Sequence, residues 1–179
     1  MSDAPDPSEP VAVVDYDSDW PRLFAEEGER IRAALGDAVV AVEHIGSTAV
    51  PGLAAKPVID VLVGLRTIEL TRKQIEAMDS LAYEYLGEHG IPGRLFFRRG
   101  RPRSHHVHAV LHESDLWERH LAFRDYLRAR PDEAKSYAVL KRSLAAEVVG
   151  ERDGYTARKD VHAAALQERA LAWRTSRVA

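Results

Sequence analysis

The chain has 179 residues, 45% hydrophobic and 30% charged, with a net charge of −3 and no cysteine. Those values suit one globular domain with a real core. They exclude disulfides, thiolate metal sites and cysteine nucleophiles, and they disfavour a long polyanionic partner such as duplex nucleic acid. No apolar run reaches the ~18 residues that span a bilayer. The N-terminus also lacks a basic-then-apolar leader pattern, so a cytoplasmic location is expected and a membrane one is not.

Met1 to Pro10 carries three prolines and three acids, which reads as a disordered tail. The remainder, 11–179, reads as one domain, helical from about residue 115. Asp19-Trp20-Pro21 suits the start of a helix, with an acid at the cap and proline in the first turn. Phe24, Gly28, Ile31 and Leu35 then recur at helical spacing, and Gly36-Asp37 ends it. Ala38 to Ile45 is β-branched and apolar, a strand. Gly46 to Pro57 is a loop with two prolines and two glycines. Val58 to Leu65 is a near-continuous apolar run, as in a strand buried on both faces.

Thr71 and Gln74 form a capping box, and Ile75, Met78, Ala82 and Tyr85 follow on one helical face. Gly90 to Gly93 makes a turn. Leu95 to Arg98 and Val107 to Leu111 read as strands joined at Gly100-Arg101-Pro102. Three helices follow. Leu116, His120, Phe123 and Leu127 mark the first. The second starts at Pro131, carries Tyr137, Leu140, Leu144 and Val148, and stops at Gly150. Thr156 would cap the third, which carries Ala163, Leu166, Ala170 and Trp173. The pattern is a small sheet of about four strands with packed helices, an α/β or α+β arrangement. Trp20, Trp117 and Trp173 all fall in helices and read as packing.

Five groups of residues carry candidate chemistry. Gly46-Ser47-Thr48 joins a residue that permits close backbone approach to two hydroxyls, which suits a phosphate, or equally an ordinary capped turn. Asp60 stands thirteen positions after Ser47, among Val58, Ile59, Val61, Leu62 and Val63. A carboxylate in such surroundings is costly unless paired, hydrogen-bonded or metal-bound. Lys56 offers a point charge to a phosphate or is a solvated loop lysine. His106 and His108 share a strand face, so with Asp60 they form a two-histidine, one-carboxylate set for a divalent metal, or a hydrogen-bonded pair. Arg94 and Arg98 lie among aromatics and further arginines, as phosphate ligands or as a solvated rim. Glu43 either adds a second acid or faces solvent. His120, on an apolar stripe, reads as a core histidine.

The run Glu43-His44-Ile45-Gly46-Ser47-Thr48 through Lys56-Pro57-Val58-Ile59-Asp60 resembles the signature of the GrpB family. Ile91-Pro92-Gly93-Arg94, Phe97-Arg98 and His106-Val107-His108 resemble its second block. Leu121 to Arg128, with Tyr137, Leu140 and Lys141, resemble its third. The resemblance runs from about Tyr16 to Trp173. GrpB proteins are similar to the nucleotidyltransferase superfamily, which implies a polymerase-β-like fold. It also implies a nucleotide or phosphorylated small molecule as ligand and Mg²⁺ or a transition metal as cofactor. By that likeness Gly46, Ser47, Lys56, Arg94 and Arg98 would contact phosphate. Asp60 would be catalytic, holding the metal with His106 and His108. A related domain is fused to dephospho-CoA kinase in some actinobacteria, but this chain has no GxxxxGK[ST] loop. Active nucleotidyltransferases carry a second acid two residues after the first, and here that position is Leu62. The implied reaction is nucleotidyl transfer; the alternative is a non-catalytic binding or docking module.

Overall fold

The computed structural model describes residues 12–147 and 152–178. The expected tail over 1–10 lies outside the described residues, as do Val148 and the stop at Gly150. Five strands form one sheet in the order β1-β2-β5-β4-β3. They are β1 (Val39–Ile45), β2 (Ile59–Leu65), β3 (Glu84–Tyr85), β4 (Arg94–Arg99) and β5 (His105–Leu111). Only β2 and β5 run parallel; the other neighbours are antiparallel. The sheet is therefore mixed, as expected. Its fifth strand is the two-residue β3, too short to leave a periodic signal.

Helices α1 (Trp20–Leu35) and α2 (Arg72–Ser80) cover one face. Their side chains Trp20, Ile31, Leu35 and Met78 join Val61, Val63, Leu65, Phe97, Val107 and Ala109 in the larger core. Helices α3 (Asp115–Ala129), α4 (Pro131–Glu147) and α5 (Arg152–Val178) lie on the other side. There Trp117 and Leu121 bury Ile45, Leu62 and Val110. Covered on both faces and flanked by β1 and β5, β2 is buried at every position except Asp60. The near-continuous apolar run had this cause. The whole exception is one carboxylate.

Local chemistry explains the element ends. Thr71 and Gln74 do form a capping box at α2. The helix stops at Ser80, earlier than the Met78–Ala82–Tyr85 stripe implied, because Ala82 takes a left-handed φ of 63° and Tyr85 pairs with Phe97 on β4. Asp19 sits at the cap of α1, but its carboxylate pairs with Arg22 and leaves the helix N–H groups alone. Thr156 is no cap, since α5 already begins at Arg152.

Glu27 of α1 is buried and ties that helix to the sheet. Arg99 donates to both its oxygens at 2.7 and 2.9 Å, and the Tyr83 hydroxyl donates at 3.1 Å. On the other face Gly64 makes room for α3. A Cβ there would lie 2.7 Å from His112 Cδ2 and 2.9 Å from Trp117 Cζ3. Gly64→Ala should therefore cost about 1–3 kcal/mol through overpacking, read as a lowered urea midpoint. An unchanged midpoint would show that Trp117 is loosely seated.

Candidate active site

The site lies where β1 ends and β2 begins. Register places Asp60 opposite Ile45 on one side and His106 on the other, and His108 beside Leu62. Side chains paired this way share a face, so Asp60, His106 and His108 all point toward α3–α5. His106 Nδ1 lies 3.0 Å from Asp60 Oδ1, and His108 Nε2 lies 3.6 Å from the same oxygen. Asp60 is buried enough that desolvation pushes its carboxyl up. The two imidazoles outweigh that and hold it well below the usual carboxylate range. His108 is pushed down, chiefly by burial.

Gly46 lets this carboxylate in. Its φ is 72°, and a Cβ would sit 2.4 Å from Asp60 Oδ2. Only glycine satisfies both conditions. The chain then makes a single 3-10 turn over Ser47–Ala49. Thr48 is buried and pins that turn: its hydroxyl donates to Val58 O at 3.2 Å and accepts from His44 Nε2 at 3.0 Å. Burial pushes His44 down to about 4, so it is neutral at pH 7 and carries that hydrogen.

A cavity of about 440 Å³ opens in front of these groups. Gly46, Ser47, Lys56, Asp60, His106 and His108 line it from the sheet and the 46–58 loop. His120 and Phe123 of α3, Tyr137 and Lys141 of α4, and Lys159, Ala163 and Gln167 of α5 complete the wall. Its volume is within the range of small-ligand sites. Three lysines line it with the carboxylate–imidazole cluster, Lys56 from the loop side and Lys141 and Lys159 from the helices.

Among the wall residues that sequence reasoning left out of the site, Lys159 and Gln167 included, is Lys141. It is buried, with Nζ 2.9 Å from Ser47 Oγ, 2.6 Å from Ala54 O and 4.7 Å from the Tyr137 ring centre. Burial, then Lys159 and Arg142, push it down to about 7. A signal was present: Lys141 interrupts the apolar Tyr137–Leu140–Leu144 stripe. His120 was expected in the core. It lines the cavity instead, its ring 5.1 Å from that of His108. Burial first, then His108, push it down to about 3.

The arginines find other partners, although Arg94 Nη1 also lies 3.5 Å from His108 Nδ1. Arg94 donates to the carbonyls of Glu88 and His89 at 3.1 and 2.9 Å and lies over Phe96. Arg98 forms a two-pronged pair with Glu84 at 2.6 and 3.1 Å. Neither lines the cavity. Glu43 neither joins Asp60 nor points freely to solvent, because Arg124 holds it at 2.6 Å.

Asp60 Oδ1, His106 and His108 offer ligand atoms that all lie within 4.8 Å of one another. One oxygen and two imidazole nitrogens fit a first-row divalent ion, provided the ring hydrogens now facing Asp60 are released. The position that would supply a second carboxylate, Leu62, is fully buried beneath Trp117 and Leu121.

Fold and site together define an α+β, nucleotidyltransferase-like domain with a carboxylate–histidine pocket. Comparison with known proteins makes the assignment specific: residues 10–169 match the GrpB protein family, and the chain belongs to it. It is 42% identical to UPF0157 protein YqkA of Bacillus subtilis, over 96% of this chain and 50% of that one. It thus spans half the length of that relative. The solved structure of conserved protein GrpB from Enterococcus faecalis matches with a TM-score of 0.84 and 37% identity, covering 91% of this chain and 99% of that one. A dephospho-CoA kinase of Mycolicibacterium paratuberculosis is 28% identical over 93% of this chain and 47% of its own length. Among the described residues, no helix is long and apolar enough to cross a membrane.

Two outcomes follow from this geometry. Gly46→Ala should destabilise the protein by about 2 kcal/mol or more, through clash and backbone strain together. A urea titration within a few tenths of a kcal/mol of wild type would contradict the close approach. Lys141 has a folded pKa near 7, below its ordinary 10.5, so the unfolded chain binds more protons between those values. Its contribution to stability is therefore greatest above about pH 10.5 and falls as pH drops toward 7. The stability of wild type minus that of Lys141→Met should rise with pH across that window. A flat difference would mean that Lys141 is not desolvated.

Proposed function

We propose that this pocket binds a nucleotide or another phosphorylated small molecule, with Asp60, His106 and His108 holding one divalent ion. The observation that carries the reading is one cavity lined by that oxygen–nitrogen cluster and Lys56 on the sheet-and-loop side and by Lys141 and Lys159 on the helix side. Phosphate oxygens are matched from both sides, by a cation at the sheet and by ammonium groups at the helices. A divalent ion at the cluster would neutralise phosphate oxygens and polarise the bond to phosphorus. Ser47 adds a hydroxyl between the two walls. Lys56 stands in the loop that Thr48 pins to Val58, and it lines the same cavity as the carboxylate.

If the protein is an enzyme, its reaction is nucleotidyl transfer with one ion instead of two, since Leu62 supplies no second acid. The same leucine favours a second reading, a binding module that retains the ligand and turns nothing over. Turnover of a labelled nucleoside triphosphate with a panel of acceptors separates the two.

Calorimetric titration with ribonucleoside triphosphates and Mn²⁺ tests the binding that both readings share. Affinity should fall roughly 10- to 100-fold in Asp60→Ala. Near pH 8 wild type should take up a fraction of a proton per ligand, because an anion beside Lys141 raises the charged share of a group that stays partly neutral. That uptake, read by repeating the titration in buffers of different ionisation enthalpy, should vanish in Lys141→Met. Binding of no phosphorylated ligand, with or without metal, would refute the proposal.

A further inference from the structure

Ser47 and Lys141 meet inside the pocket in an arrangement that phosphate binding alone does not require. Ser47 follows Gly46 at the head of the tight turn, and its side chain is only partly covered. Lys141 reaches it from α4 with Nζ 2.9 Å from Oγ, while Ala54 O fixes the same nitrogen at 2.6 Å. Lys141 is 3% exposed, and its nitrogen is held by two uncharged groups, a hydroxyl and a carbonyl. A desolvated amine held by neutral partners favours its neutral form. Charged, Nζ donates to both oxygens; neutral, it still gives one N–H to Ala54 O and turns a lone pair to the Ser47 hydroxyl. A nucleophile, a base within hydrogen-bond reach and a third group orienting the base form the recurring pattern of serine activation.

We propose that Ser47 and Lys141 are a nucleophile–base pair, and that Ser47 Oγ takes a phosphorus-centred group from a phosphoanhydride bound in the pocket. Oγ attacks phosphorus as its proton passes to Lys141 Nζ. The new Oγ–P bond replaces the bond to the leaving phosphate or pyrophosphate, which departs with the electron pair. Water or an acceptor hydroxyl then attacks the same phosphorus and gives its proton to solvent, while Oγ leaves with the bonding pair and regains the proton from Lys141. This step rests on the reading that the pocket takes phosphates. It supplies a nucleophile held by the chain itself, where Leu62 leaves no second acid to help activate an incoming one.

The base is poised by groups on several elements. Lys159 of α5 and Arg142 of α4 disfavour its charged form, after burial itself. Tyr137 lies beneath it, and Lys56, Asp60, His106 and His108 share the cavity.

A fluorophosphonate tests the pair without any nucleotide, so its outcome is separable from that of the calorimetry. Oγ displaces fluoride and leaves a stable ester, read by intact mass and peptide mapping. The expected result is one adduct, on Ser47, forming faster as pH rises through about 7. Ser47→Ala should give none. Lys141→Met should slow labelling roughly 100-fold or more, the usual contribution of a general base, and Lys141→Arg, which keeps charge but offers no base, should not rescue it. A second variant guards against misfolding. The chain has no cysteine, so Ser47→Cys introduces a single thiol, and iodoacetamide should alkylate it about tenfold faster with Lys141 present than in Ser47→Cys/Lys141→Met. No adduct on folded protein between about pH 6 and 9, an adduct elsewhere, or labelling and alkylation indifferent to Lys141 would overturn the proposal.

Discussion

The pocket depends on one close approach, the Asp60 carboxylate lying against the backbone of Gly46. Ile45 and Asp60 are paired across β1 and β2, so the carboxylate meets the chain where it leaves the sheet. With a side chain at position 46, a Cβ would fall 2.4 Å from Asp60 Oδ2. Either the acid would turn away from its histidines or the turn would open. Because position 46 is glycine, the chain reverses sharply and presents Ser47 to the cavity, while Thr48 fastens the turn to Val58. The loop that carries Lys56 is thereby anchored at both ends to the strand it leads into.

A second constraint fixes the histidines. β5 runs parallel to β2, and the register sets Asp60 beside His106 and Leu62 beside His108. The imidazoles are thus held by the sheet and not by a loop, which limits how far the cluster relaxes. The same face is apolar one step along, where Leu62, Val110, Trp117 and Leu121 close together. Polar chemistry is confined to one end of the sheet, and the packed end seats α3 against it. Through α3 the helices α4 and α5 are placed to bring Lys141 and Lys159 into the wall of the cavity that the carboxylate also lines.

Much of this was legible in the sequence, and the reasons are specific. The β2 run read as buried on both faces because helices do cover both, and Asp60 stood out as its lone acid. His106 and His108 read as neighbours because strand periodicity is local. What escaped were facts of tertiary arrangement. Arg98 looks like a phosphate ligand until β3, two residues long, brings Glu84 opposite it. Arg94 likewise finds the carbonyls of a turn. Glu43 is claimed by Arg124 from a helix eighty-one residues on. Lys141 and His120 lie on helical faces that read as core, and only packing shows that those faces border a cavity. Membership of the GrpB family was visible in the run from Glu43 to Asp60, whose glycine, threonine and aspartate are the residues the close approach requires.

A crystal structure with Mn²⁺ and a non-hydrolysable nucleoside triphosphate analogue, with anomalous data at the manganese edge, tests the central claim most directly. The account predicts one anomalous peak within bonding distance of Asp60, His106 and His108, about 2.0–2.3 Å, and a phosphate reaching toward Ser47 and Lys141. An ion bound elsewhere, or a cavity left empty at saturating ligand, would contradict it.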